Sequence, residues 1–158
     1  MLLEIKEKKQ LVKQEQLKKI KKTKNDLKII NKMLQTDPQN LNLLLAKASM
    51  AAIIQDIETE IKTLKKIIKI NPITNIKSLL AQAYLRKNDG IVNEFIKKLI
   101  DEVLFEKPKD PGANFILAKY LNQNGNKNKS RNLLLKILEN LDDKGPWHQI
   151  YKDELNIK

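Results

Sequence analysis

The sequence has no cysteine and few of the residues that build sheets and tight turns. Without cysteine there is no disulfide framework, no thiolate metal site and no thiol redox motif. Aromatic residues make up only 4% of the 158 residues, and there are four glycines and five prolines, whereas Leu and Ile are abundant. This composition favours a helical protein over a β-sandwich or a barrel.

The sequence also lacks long apolar runs. No stretch approaches the roughly 18 apolar residues that a membrane span requires. Read from Met1, the charged segment 4–9 takes the place of the apolar core of a signal peptide. The sequence alone therefore predicts a cytoplasmic protein without a membrane span.

Arginine is scarce although the chain is strongly basic. The net charge of +12 is carried by 29 lysines and only two arginines. A basic surplus is typical of proteins that contact nucleic acid or anionic surfaces, but the bidentate contacts to phosphates and bases usually come from arginine. Residues 1–36 hold 11 lysines and four acidic residues, a net charge of +7. The charge favours a solvated lysine surface, and nucleic acid is not the expected partner.

One short pattern occurs three times. Leu45-Ala46, Leu80-Ala81 and Leu117-Ala118 lie 35 and 37 residues apart, and each is followed by a turn signal and a second amphipathic stretch. A unit of this length is a helix–turn–helix that must stack on its neighbours to bury its apolar face. The pattern predicts an all-α array of helix pairs.

Proline and glycine mark the boundaries of this array. Asp37-Pro38 ends a long lysine-rich helix over residues 1–36, because proline cannot continue a helix that precedes it. About three helix pairs are predicted over residues 37–145. Gly145-Pro146 then separates a short amphipathic segment, residues 146–158, which is predicted to be a capping helix that covers the open end of the stack.

The units resemble tetratricopeptide repeats (TPR). That family has a Leu followed by a small residue in its first helix, a Gly in the turn seven residues later and a small residue twelve positions after the first. The third unit matches with Ala118, Gly125 and Ser130, whereas Glu58 and Asn93 depart from the pattern in the first two units. The resemblance implies a right-handed α-solenoid that binds protein segments.

The last 70 residues carry a narrower resemblance. Asp110-Pro111, Gly125 and the closing Gly145-Pro146-Trp147 are similar to the C-terminal half of the TPR subunits of bacterial cytochrome c maturation. Those subunits hold unfolded apocytochrome c and present it to the haem-ligation machinery. The resemblance implies an apocytochrome c chaperone in the periplasm. It departs at the N-terminus, where the family has membrane spans and this sequence has a lysine-rich helix.

Catalytic chemistry has no support in the sequence. The single histidine, His148, has no acidic pair at a useful spacing, and a general base or a metal ligand needs partners that converge on it. We therefore predict no catalytic residue, no metal site and no cofactor.

The repeat pattern instead predicts a peptide-binding groove along the first helix of each unit. Apolar positions would contact an amphipathic peptide, and basic positions would favour its carboxylates. The alternative is that these are ordinary exposed positions of a degenerate repeat. The predicted groove residues are Asn40, Leu43, Lys47, Met50, Asn75, Ser78, Gln82, Leu85, Arg86, Phe115, Lys119, Asn122 and Gln123.

The leading interpretation is a non-enzymatic, TPR-type protein-binding scaffold. The alternative is a basic helical protein that contacts RNA or an anionic surface through residues 1–36.

Overall fold

The computed structural model describes the backbone of residues 2–157 and the side chains of residues 7–157. This part of the chain forms eight α-helices and no strand, which confirms the predicted all-α class. The helices are α1 Leu2–Thr36, α2 Leu41–Ile53, α3 Ile57–Ile70, α4 Thr74–Lys87, α5 Glu94–Glu106, α6 Pro111–Gln123, α7 Lys127–Leu138 and α8 Pro146–Leu155.

The chain divides into two compact units. The N-terminal unit comprises residues 1–67 and the C-terminal unit comprises residues 68–158, so the division falls within the last turn of α3.

Side-chain caps define several helix starts. The Leu43 amide donates a 3.1 Å hydrogen bond to Asn40, which precedes α2. The Ala113 amide donates a 2.8 Å bond to Asp110, and Pro111 follows in the first turn of α6. Caps of this kind satisfy backbone donors that the helix leaves unpaired, and each contributes about 1 kcal/mol.

In the N-terminal unit, α1 contacts α2, and the described side chains in the first half of α1 are exposed. Every side chain over residues 7–19 is exposed, and the first buried one is Thr23, whose hydroxyl donates a 2.9 Å bond to the Lys19 carbonyl. The buried apolar residues that follow are Leu44, Ala48 and Ala51 on α2 and Ile61, Leu64 and Ile67 on α3.

The buried face of α2 differs from the predicted one. Leu45 is 36% exposed and Ala46 is only half-buried, whereas Ala48 and Ala51 are buried. The repeat pattern predicts Ala46 as the small residue that makes the close helix contact of the first unit, and this expectation is wrong. The physical reason is that the buried side of α2 carries Leu44, Ala48 and Ala51.

The C-terminal unit contains two apolar clusters. The first joins α4, α5 and α6 through Ala81, Leu85, Val92, Ile96, Ile100, Val103, Ala113 and Ile116. The second joins α6, α7 and α8 through Ala118, Leu134, Ile137, Tyr151 and Leu155. Alpha-6 carries residues of both clusters, so it lies at the centre of the unit.

Small residues let helices of this unit approach each other closely. The buried Ser130 hydroxyl on α7 donates a 2.7 Å hydrogen bond to the Ala118 carbonyl on α6. Ala81 on α4 has no exposed surface. A larger side chain at position 130 or at position 81 would have to displace a packed neighbour.

We expect Ala81→Phe to be much more destabilising than Ala46→Phe, because only Ala81 is fully enclosed. Overpacking a dense core costs about 1–3 kcal/mol or more, whereas a half-buried side chain can turn toward solvent. Thermal melts of the two variants test this difference. Equal losses of stability would show that the buried face of α4 or of α2 has been assigned incorrectly.

Asp56 stabilises the start of α3. The Thr59 amide donates a 3.1 Å hydrogen bond to its carboxylate. The side chain and backbone of Thr59 are the main reason that the pKa of Asp56 lies below its ordinary value of 3.8, and the charge of Lys47 lowers it further.

We expect Asp56→Ala to lower stability at neutral pH by about 1 kcal/mol, the usual cost of losing a cap. Because folding lowers the pKa of Asp56, its contribution is present above pH 3.8 and is lost as the pH falls through the folded-state pKa. Urea unfolding at pH 7 and pH 3 should therefore show the gap between the variant and the native protein narrowing in acid. A gap that is as large in acid as at neutral pH would contradict this role.

Candidate functional site

Among the residues described, no group of three or more His, Asp or Glu side chains is placed to hold a metal ion. His148 lies half-buried in the first turn of α8, next to Trp147. Within residues 2–157, no helix has the length and hydropathy to cross a membrane.

Four of the predicted groove residues lie in the N-terminal unit. Asn40 is occupied as the cap of α2. Leu43 and Met50 are half-buried, so each presents only part of its side chain. Lys47 is also half-buried and lines a cleft that α2 forms with α1 and α3. The structure therefore places Lys47 in a basic cleft within this unit.

The other predicted residues lie on α4 and α6 of the C-terminal unit, and these two helices contact each other. Ser78 donates a 2.7 Å hydrogen bond to Asp110, and Gln82 donates a 3.3 Å bond to Ser78. The Gln82 amide lies so close to Gly112 that a side chain at position 112 would collide with it. These contacts place the predicted faces of α4 and α6 next to each other.

Four predicted residues are exposed on these helices. Asn75 and Arg86 are exposed on α4, and Asn122 is exposed near the end of α6. Asn75 accepts a hydrogen bond from Lys107. Gln123, the last residue of α6, is also exposed.

Leu85 does not belong to a binding surface. It is 8% exposed and packs in the first apolar cluster with Ile96 and Ile116. The prediction that Leu85 contacts a peptide is corrected for this reason. In that part of α4, the face toward α5 and α6 includes Leu85 as well as Ala81.

Phe115 and Lys119 are covered by α8. The Phe115 ring lies 5.9 Å from the Trp147 ring and 5.8 Å from the Tyr151 ring, measured between centroids. Lys119 forms a 3.0 Å ion pair with Glu154. The expectation that Phe115 offers a free apolar contact is therefore wrong, because α8 packs against α6 as well as α7.

Tyr151 fixes α8 in this position. It has no exposed surface, and its hydroxyl donates a 2.7 Å hydrogen bond to the Pro111 carbonyl. Burial, and then the charge of Asp110, raise the pKa of Tyr151 far above its ordinary value of 10.0. The tyrosine stays protonated and keeps its donor over the whole physiological range.

Two residues on α4 and α6 differ from what the sequence predicted. Leu79 is 44% exposed and lies on α4 between Asn75 and Gln82. Gln123, predicted to line the groove, instead accepts a 3.0 Å hydrogen bond from the Val92 amide and donates a 3.1 Å bond to the Gly90 carbonyl. The spacing of Asn75, Leu79 and Gln82 was a usable signal for Leu79. No local signal reveals the loop contact of Gln123.

Comparison with models of known protein families and with curated proteins found no match.

We expect removal of residues 146–158 to lower stability and to promote self-association. The deletion would expose Phe115, Leu134 and Ile137, which α8 and its neighbours now cover. Exposed apolar patches of this kind drive association. Thermal melting and size-exclusion chromatography test the prediction, with Ile150→Ala, an exposed position on α8, as the control. A truncated protein that stays monomeric and equally stable would show that α8 is dispensable.

Proposed function

We propose that this chain is a non-enzymatic scaffold of the TPR type that binds a protein segment on the exposed side of α4. The observation that carries the proposal is the packing order in the C-terminal unit. Each helix from α4 to α8 contacts the next one, and α6 also contacts α4 and α8. Contacts limited to near neighbours along the chain are typical of solenoid repeats.

The close contact between α6 and α7 also supports the proposal. In the TPR pattern, a small residue in each helix of a pair lets the two backbones approach. Ser130 and Ala118 occupy those two positions here and are joined by a 2.7 Å hydrogen bond. The turn between the two helices contains Gly125 at a φ of 79°, a conformation that glycine adopts without steric cost.

The proposed binding face runs along α4. Asn75, Leu79, Gln82 and Arg86 are spaced by four, three and four residues, so they lie on one side of the helix. Leu79 supplies an apolar contact and Arg86 a positive charge. Such a mixture suits an amphipathic helix with acidic residues along its edge.

The resemblance to the cytochrome c maturation subunits suggests apocytochrome c as the first partner to test. A peptide from apocytochrome c that carries the C-x-x-C-H haem-attachment motif is a suitable probe. A displayed library of amphipathic helical peptides would extend the test to other partners.

We expect Leu79→Ala to weaken binding of such a peptide about tenfold, because a leucine buried at an interface contributes about 1.5 kcal/mol or more. Leu17→Ala removes another exposed leucine, on α1, and should leave the affinity unchanged. Fluorescence anisotropy measures both affinities, and thermal melts check folding. A loss of affinity in Leu17→Ala but not in Leu79→Ala would show that the peptide does not bind on α4.

One observation favours a second candidate function, contact with RNA or an anionic surface. Residues 7–19 of α1 are all exposed and include five lysines. Lysine contacts to RNA weaken steeply with salt, because binding releases counterions. Removing residues 1–19 separates the two functions, since it would abolish a salt-sensitive RNA interaction and leave peptide binding intact.

A further inference from the structure

The N-terminal unit contains a cleft of about 340 Å³ between α1, α2 and α3. Three lysines line it: Lys47 from α2, and Lys62 and Lys66 from α3. None of the described residues that line the cleft is acidic. The cleft therefore concentrates positive charge from two helices.

The lysines in this cleft lack ion-pair partners within the described residues. Lys62 and Lys66 are one helical turn apart, and like charges at this spacing repel each other. Among residues 7–157, no carboxylate lies within 4 Å of either ammonium group. Lys47 interacts at longer range with Asp56, whose carboxylate is already hydrogen-bonded to Thr59. An anion in the cleft would relieve this repulsion.

The remaining walls of the cleft are neutral. Asn31 and Gln35 bring side-chain amides from α1, and these can donate hydrogen bonds. Leu34 and the buried Leu44 form an apolar wall. The cleft thus combines a cationic side with a small apolar surface.

We propose that this cleft binds a small polyanion that contains a chain of phosphate groups, held by Lys47, Lys62 and Lys66. Lysine ammonium groups are compact point charges that suit phosphate oxygens, and a cleft lined by one sign of charge focuses the field on its ligand. Its volume lies at the lower end of the range for small-molecule sites, about 300–1,000 Å³. The site lies outside the proposed peptide-binding face and does not depend on it.

Isothermal titration calorimetry of the full chain with sodium tripolyphosphate, at about 0.1 M salt to screen non-specific attraction, tests the proposal. We expect one ligand per chain and at least a tenfold loss of affinity in the double variant Lys62→Ala, Lys66→Ala. The control is Lys18→Ala, Lys22→Ala, which removes two exposed lysines at the same spacing on α1. This control should change the affinity less than twofold.

Two results would overturn the proposal. Equal losses in both double variants would show that the ligand responds only to net charge. Citrate binding as tightly as tripolyphosphate would remove the preference for phosphate. ATP serves as a further probe: tighter binding than tripolyphosphate indicates a nucleotide whose base contacts Leu34 and Leu44, and equal binding indicates that only the phosphate chain is recognised.

A melting experiment separates binding from folding. Lys62 and Lys66 are exposed, so their loss should leave the melting temperature unchanged or raise it by relieving repulsion. Tripolyphosphate should raise the melting temperature of the native protein and not that of the variant, because a ligand that binds the folded state stabilises it. If the alanine variant unfolds early, the double variant Lys62→Gln, Lys66→Gln takes its place, because glutamine removes the charge and keeps a polar side chain of nearly the same length. A full ligand-induced rise in a folded variant would refute the role of these lysines.

Discussion

Where apolar residues recur along one side of a helix, they form an apolar stripe, and neighbouring helices of this protein cover it. On α5, Ile96, Ile100 and Val103 recur at helical spacing and have no exposed surface, while Phe105 on the opposite side is 89% exposed. Helices of 12 to 14 residues, such as α2 to α7, are marginal in water by themselves. Their stability therefore depends on burying this stripe, and the chain order of the contacts in the C-terminal unit is the result.

Small and polar residues determine how closely the apolar sides of neighbouring helices approach each other. The contact of Ser130 with Ala118 and that of Gln82 with Gly112 both depend on the absence of a bulky side chain. At the end of the C-terminal unit, the stripe of α6 has no further long helix to cover it. Trp147 and Tyr151 of α8 fill that place with aromatic rings around Phe115.

The two units present different chemistry to solvent. In the N-terminal unit, the lysines of α2 and α3 surround a cleft with neutral walls. In the C-terminal unit, α4 presents a mixed face with Leu79 and Arg86. Lysine is spread over both units, so the net charge of +12 says little about either surface. The two surfaces differ in how their charges are arranged. In the N-terminal unit, Lys62 and Lys66 converge with Lys47 in a cleft, whereas in the C-terminal unit the charge lies along an open helix.

Local interactions explain what the sequence determined by itself. The helical class follows from composition and periodicity, and the breaks near Asp37-Pro38 and Gly145-Pro146 follow from proline and from capping. Only the tertiary structure decided which side of each helix is covered. Successive residues turn by about 100° around a helix, so Ala46 and Ala48 lie on nearly opposite sides of α2, and packing covered the side of Ala48. Packing of α8 on α6 covered Phe115, and the approach of α3 to α2 brought Lys62 and Lys66 to Lys47. These contacts join residues that are distant in the chain, so local sequence patterns do not reveal them.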